Sequence, residues 1–298
     1  MSDGAIDAPL LEVEGLTTIF DTEDGPLAAV RDVSITLRRG EILGLVGESG
    51  SGKSVTGFSL LRLVDPPGRI AAGRILFGGQ DLVTTPEREM RRLRGARIAM
   101  IFQDPMMTLN PVLSIGTQMA EVLTTHRRTS RRAAWERAEA ALAQVGVPSP
   151  GARLKSYPHE LSGGMRQRVA IATALLCDPE VIIADEPTTA LDVTIQGQIL
   201  HEVQALVERT GAALIWISHD LSVVASLADT IAVMYAGRIL ERGPTAEVIA
   251  APAHPYTAGL LRSAPAAARP GEALRPIPGA ATAPAQAPVG RRRRRRGR

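Results

Sequence analysis

Gly47-Glu-Ser49-Gly50-Ser51-Gly52-Lys53-Ser54 fits the spacing G-x-x-x-x-G-K-[ST], a loop able to wrap phosphate groups. Its glycines let the backbone approach phosphate oxygens closely and aim successive N–H groups at them. Lys53 supplies a compact ammonium suited to β- and γ-phosphates, and Ser54 a hydroxyl suited to Mg²⁺. Val55 opens the segment beyond, whose helix N-terminus would add a favourable dipole. Lysine is scarce here: only Lys53 and Lys155 occur among 34 basic residues, so a lysine kept at this position points to a task arginine does less well.

Two further segments carry chemistry. Val181-Ile-Ile-Ala-Asp185-Glu186-Pro187 is an apolar run ending in adjacent carboxylates. At the C-terminal end of a strand they would reach the edge where α/β sheets bind ligands. Asp185 suits the holding of Mg²⁺, and Glu186 suits orienting or deprotonating a water that attacks the γ-phosphate. Leu161-Ser162-Gly163-Gly164-Met165-Arg166-Gln167 opens a helix with a serine hydroxyl beside free N–H groups, a second anion site.

The elements that must position these groups are legible in part. Leu11–Glu14 and Val33–Leu37 alternate apolar and polar residues, as half-buried strands do. Ile42–Val46 is a continuous apolar run before the phosphate loop, and Val55–Leu63 reads as the helix after it. Arg74–Phe77, Arg97–Phe102, Val181–Ala184, Ala213–Ile217 and Ile231–Met234 read as strands. Trp135, Ala138, Leu142 and Val145 mark one helix face, and Ile195, Ile199, Val203 and Leu206 another. A helix opening after Ser162-Gly163-Gly164 is expected to bury Val169, Ala172 and Leu176, with residues 168–180 as a body of roughly 20 Å leading to the carboxylate strand. Strand, helix, strand implies parallel crossovers.

Loop, serine–glycine helix start and carboxylate strand, in this order, resemble the ATP-binding cassette (ABC) ATPases. The resemblance implies a P-loop α/β fold with a mixed sheet core and an inserted helical subdomain at about residues 90–180, within an ATPase domain over 8–262. It further implies that Gln103 is the glutamine contacting Mg²⁺ and the membrane partner. It assigns Thr188-Thr-Ala-Leu-Asp192 to a loop touching the opposite subunit, His219 to the γ-phosphate and Phe20 to stacking on adenine. In this family two subunits close head to tail, each ATP lying between one phosphate loop and the other subunit's Ser162-Gly163-Gly164. Glu186, His219, Lys53 and Gln103 are thus the expected catalytic set, and Ser54, Gln103 and Asp185 the expected Mg²⁺ set.

Phe102-Gln-Asp-Pro105-Met-Met-Thr-Leu-Asn-Pro111, His254-Pro-Tyr-Thr257-Ala-Gly-Leu-Leu261 and Ile277-Pro-Gly279 resemble the peptide/nickel importer branch. That resemblance implies an ATP-hydrolysing subunit driving uptake of peptides or nickel complexes. Its implied partners are two membrane permease subunits, a second ATPase subunit and, indirectly, an extracytoplasmic solute-binding protein. Its implied place is the cytoplasmic side of the cell membrane, as a peripheral protein. The branch usually carries C-terminal cysteines that hold an iron–sulfur cluster. Here Pro288-Val-Gly290 runs into arginines and Cys177 is the one cysteine, so no cluster is expected.

Composition agrees with this reading. No apolar run approaches the ~20 residues that span a bilayer. A soluble ABC ATPase acting on DNA or ribosomes would tend to show two cassettes, coiled coils or zinc cysteines, and an exporter often carries its own membrane helices; none is present in the sequence. Seven of the eight last residues are arginine, and without them 27 basic face 31 acidic residues, so the body is mildly acidic and no nucleic-acid partner is expected. Residues 263–298 are Ala- and Pro-rich, too poor in large apolar groups to fold alone, and are expected to be partly disordered. Deleting residues 291–298 should therefore leave ATP turnover in detergent unchanged; slowed phosphate release by the truncated protein would show a role for the arginines in the site.

Overall fold

The computed structural model describes residues 8–188 and 193–263. The chain opens on a hairpin, β1 (Leu11–Thr22) and β2 (Gly25–Leu37), then enters β3 (Ile42–Val46), the phosphate loop and α1 (Lys53–Leu60). β4 (Gly68–Phe77) and β5 (Gln80–Asp81) return to the hairpin, completing an antiparallel sheet of order β2-β1-β4-β5. After α2 (Glu87–Leu93) and β6 (Ile98–Ile101) come four helices in succession: α3 (Ile115–His126), α4 (Arg131–Gln144), α5 (Pro150–Arg153) and α6 (Gly163–Leu175). The rest alternates: β7 (Val181–Asp185), α7 (Val193–Thr210), β8 (Ala213–Ser218), α8 (Leu221–Leu227), β9 (Thr230–Tyr235). It closes with β10 (Arg238–Pro244), α9 (Thr245–Ala250) and α10 (Pro255–Ser263).

The second sheet has the order β10-β9-β3-β8-β7-β6, parallel except for the antiparallel β10. Its central strands are apolar up to their last residues, Asp185 of β7 and Ser218 of β8, because both faces are covered. The period of two divides their side chains between two cores. Leu43, Leu45, Ile183, Ile215 and Ile217 join the core shared with the antiparallel sheet. Val46, Ile182, Ala184, Leu214 and Trp216 join the core shared with the helices, including Ile115, Met119, Leu142 and Val169. The helices that carry the serine–glycine segment are thus packed on the same sheet that carries the phosphate loop.

Helix starts follow side-chain chemistry. The hydroxyls of Ser114, Ser130 and Ser162 each accept a hydrogen bond from the backbone N–H three residues on, satisfying one of the free donors of α3, α4 and α6. Two helix ends differ from the sequence expectation. The helix after the phosphate loop stops at Leu60 rather than Leu63, because Arg62 adopts a left-handed backbone with φ +52°. The helix expected over 168–180 runs instead from Gly163 to Leu175, and Asp178, at φ +47°, turns the chain into β7. Cys177 is fully buried at this corner, and burial pushes its thiol pKa up.

One glycine sets how closely a helix lies on the sheet. A Cβ at Gly44, in the middle of β3, would sit 2.0 Å from Val224 Cγ1 of α8. Gly44→Ala is expected to lower unfolding free energy by about 1–3 kcal/mol, the usual cost of overpacking a core. Urea denaturation of the two proteins checks this; equal midpoints would show that α8 moves aside freely.

Candidate nucleotide site

Four strand ends converge on one mouth. β3 delivers the phosphate loop, β6 delivers Gln103 two residues past its end, β7 delivers Asp185 and Glu186, and β8 delivers His219. A cavity of about 580 Å³ is lined there by Glu48, Ser49, Gly50, Gly52, Lys53, Ser54, Val55, Gln103, Glu186 and His219, together with Ala29 and Leu260.

The loop's shape depends on missing side chains. At Gly52 the backbone is left-handed (φ +102°), and a Cβ would lie 2.4 Å from the Ala29 carbonyl oxygen. A Cβ at Gly47 would lie 2.1 Å from the Met234 carbonyl oxygen at the end of β9. Lys53 folds back under the loop, its Nζ donating to the carbonyl oxygens of Gly47 (2.8 Å) and Glu48 (2.9 Å), with only 4% of the residue exposed. Burial pulls its pKa below the ordinary lysine value, while Glu186, Asp185 and Glu48 act in the opposite sense.

Ser54 Oγ donates to Asp185 Oδ1 at 2.9 Å. Asp185 is buried, and burial raises its pKa above the usual carboxylate value, opposed chiefly by the Ser54 hydrogen bond. Glu186 follows in a left-handed conformation (φ +44°), unusual for a non-glycine residue and typical of functional positions. Its N–H donates to the Ile217 carbonyl at 2.9 Å, tying the turn to β8. Its Oε2 accepts from Gln103 Nε2 at 3.3 Å and lies 3.2 Å from His219 Nδ1. Glu186 is thus mostly covered, whereas His219 is half-exposed at the mouth.

This arrangement can hold a polyphosphate and place a base beside it. The loop brings an ammonium and backbone amides, while Ser54 with Asp185 forms a hard oxygen pair of the kind that binds Mg²⁺ jointly with substrate phosphates. Ser51 Oγ is buried without a hydrogen-bond partner, a polar group inside the loop that an anion's oxygens would satisfy. Among the described residues no group of three His, Cys, Asp or Glu is arranged to hold a metal ion.

Other expected site residues lie elsewhere. Ser162 and Gly163 are exposed at the start of α6, apart from this chain's own cavity, with Ser162 Oγ engaged by the Met165 N–H at 3.3 Å. Phe20 pairs with Leu27 and Gly68 in the antiparallel sheet, close enough that a Cβ on Gly68 would touch its ring, and it does not line the cavity. Asp192 lies outside the described residues, as do residues 264–298 of the stretch 263–298 expected to be partly disordered, while Ser263 ends α10. Sequence reasoning missed Ala29 and Leu260 on the cavity wall; the His-Pro-Tyr-Thr segment before Leu260 was the available signal.

A phosphate loop at the C-terminal edge of a parallel sheet, facing paired carboxylates, defines a P-loop nucleotide hydrolase. Comparison with known proteins narrows this. The ABC transporter family model matches residues 30–189, and that of the oligopeptide/dipeptide transporter C-terminal region matches residues 240–296. A putative peptide import ATP-binding protein of Brucella abortus (strain 2308) is 51% identical, over 95% of this chain and 87% of that protein. The dipeptide transport ATP-binding protein DppD of Bacillus subtilis (strain 168) is 50% identical, over 91% of this chain and 81% of its own length. The dimeric ATP-binding cassette MJ0796, in a post-hydrolysis state bound to ADP and Pi, superposes with a TM-score of 0.73 at 25% identity, covering 79% of this chain and 98% of that one. This chain belongs to the ABC transporter family and is an ATP-hydrolysing subunit. Among the described residues no helix is long and apolar enough to cross a membrane.

Proposed function

We propose that this chain couples Mg-ATP binding and hydrolysis to the uptake of peptides through separate permease subunits. The observation that carries the reading is the convergence of Lys53, the Ser54–Asp185 pair and Glu186 on one cavity mouth. The peptide class is supported by the match to the oligopeptide/dipeptide C-terminal region and by the names of the relatives.

Each residue then has a task. Lys53 and the amides from Ser49 to Val55 bind the β- and γ-phosphates. Ser54, Asp185 and Gln103 would hold Mg²⁺, which when bound would offset charge on the phosphate oxygens. Glu186 accepts the proton of the attacking water, and its two neighbours, Gln103 and His219, fix the carboxylate's direction and approach the γ-phosphate. Ser162-Gly163-Gly164 at the start of α6, with Ser162 and Gly163 exposed, serves the ATP of a second ATPase subunit, with Asp192 at the same interface. The chain works on the cytoplasmic face of the membrane, and a solute-binding protein delivers cargo without touching it.

Purification from detergent-solubilised membranes tests the reading. Permease subunits and a solute-binding protein should co-purify, and vesicles holding the assembly should accumulate labelled di- or oligopeptide only with ATP. Recovery with ribosomes or DNA instead would overturn it.

A further inference from the structure

The His254-Pro-Tyr-Thr257 segment is left without a task by the chemistry above, yet it lies against the phosphate loop. Glu241 of β10 starts the contact: its carboxylate oxygens accept the N–H groups of Ala253 (2.6 Å) and His254 (3.0 Å). His254 Nδ1 then accepts the Tyr256 N–H at 3.1 Å, and Pro255 begins α10. The segment is thereby fixed from β10, and Tyr256 is aimed inward. Its hydroxyl oxygen accepts the backbone N–H of Glu48, inside the phosphate loop, at 3.3 Å. Its ring packs on Tyr235 at the end of β9, with centroids 4.7 Å apart. One turn further along, Leu260 is buried and forms part of the cavity wall.

The loop is therefore held at two points by the C-terminal part of the chain. Just past β9, the Gly237 N–H donates to the Ser51 carbonyl at 2.9 Å. From α10, Tyr256 takes up the Glu48 amide. Burial pushes the Tyr256 phenol up to about 12, so it stays neutral across physiological pH and its oxygen remains an acceptor for that amide.

We propose that Tyr256 is a positioning residue of the ATP site, through which α10 holds the phosphate loop in its phosphate-binding shape, with Leu260 closing the wall beside it. This rests on the assignment of the loop as the ATP site. The oligopeptide/dipeptide transporter C-terminal region matches residues 240–296, which include both side chains. A segment of that region thus reaches the phosphate loop and the cavity wall.

Tyr256→Phe tests it, since the ring stays and only the hydroxyl goes. In the full chain, affinity for a fluorescent ATP analogue should fall about three- to tenfold, the range expected for one lost hydrogen bond. KM for ATP should rise by the same factor with kcat little changed, because Glu186 and His219 are untouched. Amide hydrogen exchange of a peptide spanning residues 47–52 should quicken while the thermal midpoint holds, a pattern that mere packing of α10 would not give. Parental affinity with unchanged exchange in that peptide would overturn the proposal. Lys53→Ala run alongside separates the two levels. If it abolishes binding while Tyr256→Phe binds normally, only the role of Tyr256 fails; if it binds normally, the assignment of the loop fails as well.

Discussion

Glu186→Gln should keep ATP binding while hydrolysis falls by roughly 10²- to 10⁴-fold, the usual scale for losing a general base. The substitution preserves shape but removes the acceptor of the water's proton. The amide of the variant keeps an oxygen that can accept from Gln103 Nε2, which with His219 Nδ1 approaches Oε2 of Glu186. Glutamine should tolerate the left-handed backbone at residue 186 as glutamate does, so the expected loss is chemical and not a collapse of the turn. With hydrolysis blocked, ATP should hold two subunits together. Size-exclusion chromatography with and without Mg-ATP should show a dimer peak for the variant only when nucleotide is present. Phosphate release at the native rate would mean that another group orients the water.

The parts of this site that sequence could reveal are those whose chemistry is local. The phosphate loop, the carboxylates after β7 and the histidine after β8 each combine an apolar strand with a polar residue one or two positions beyond it. Their meeting at one mouth then follows from parallel topology, which brings the C-terminal ends of strands to one edge. The same reasoning placed only residues 33–37 of β2, because Leu27-Ala-Ala-Val30 lacks the alternation that marks a half-buried strand, although it pairs with β1. The segments α3, β10, α9 and α10 gave too little periodic signal to be read. In α10 the buried Thr257 and Leu260, with the partly buried Tyr256 and Leu261, span little more than one turn, too short a stretch for a period to show. The bond from Tyr256 to Glu48 joins positions 208 residues apart, and no local pattern encodes it. What sequence shows least well is how distant segments brace a motif, because that depends on where the chain returns after the motif has formed.

That bracing bears on the largest expected loss of binding. Lys53→Ala should abolish nucleotide binding, because the β- and γ-phosphates lose their main side-chain counter-charge. The ammonium also ties the loop to itself through the Gly47 and Glu48 carbonyls; its removal breaks both bonds and leaves the Glu48 carbonyl only the Ser51 N–H. Lys53→Arg should bind poorly as well. At 4% exposure, in a site where burial already works against the charged form, there is no room for a planar fork whose five donors need a wider spread of partners. Three carboxylates, Glu48, Asp185 and Glu186, lie close enough to Lys53 to act on its charge, so without the ammonium their field would oppose an incoming polyphosphate. The defect should therefore be larger than the loss of a single charge-assisted bond. Equilibrium titration with a fluorescent ATP analogue gives the answer: no saturable binding for alanine and a strongly weakened curve for arginine are expected, and near-parental affinity in both variants would remove the loop from its role in phosphate binding.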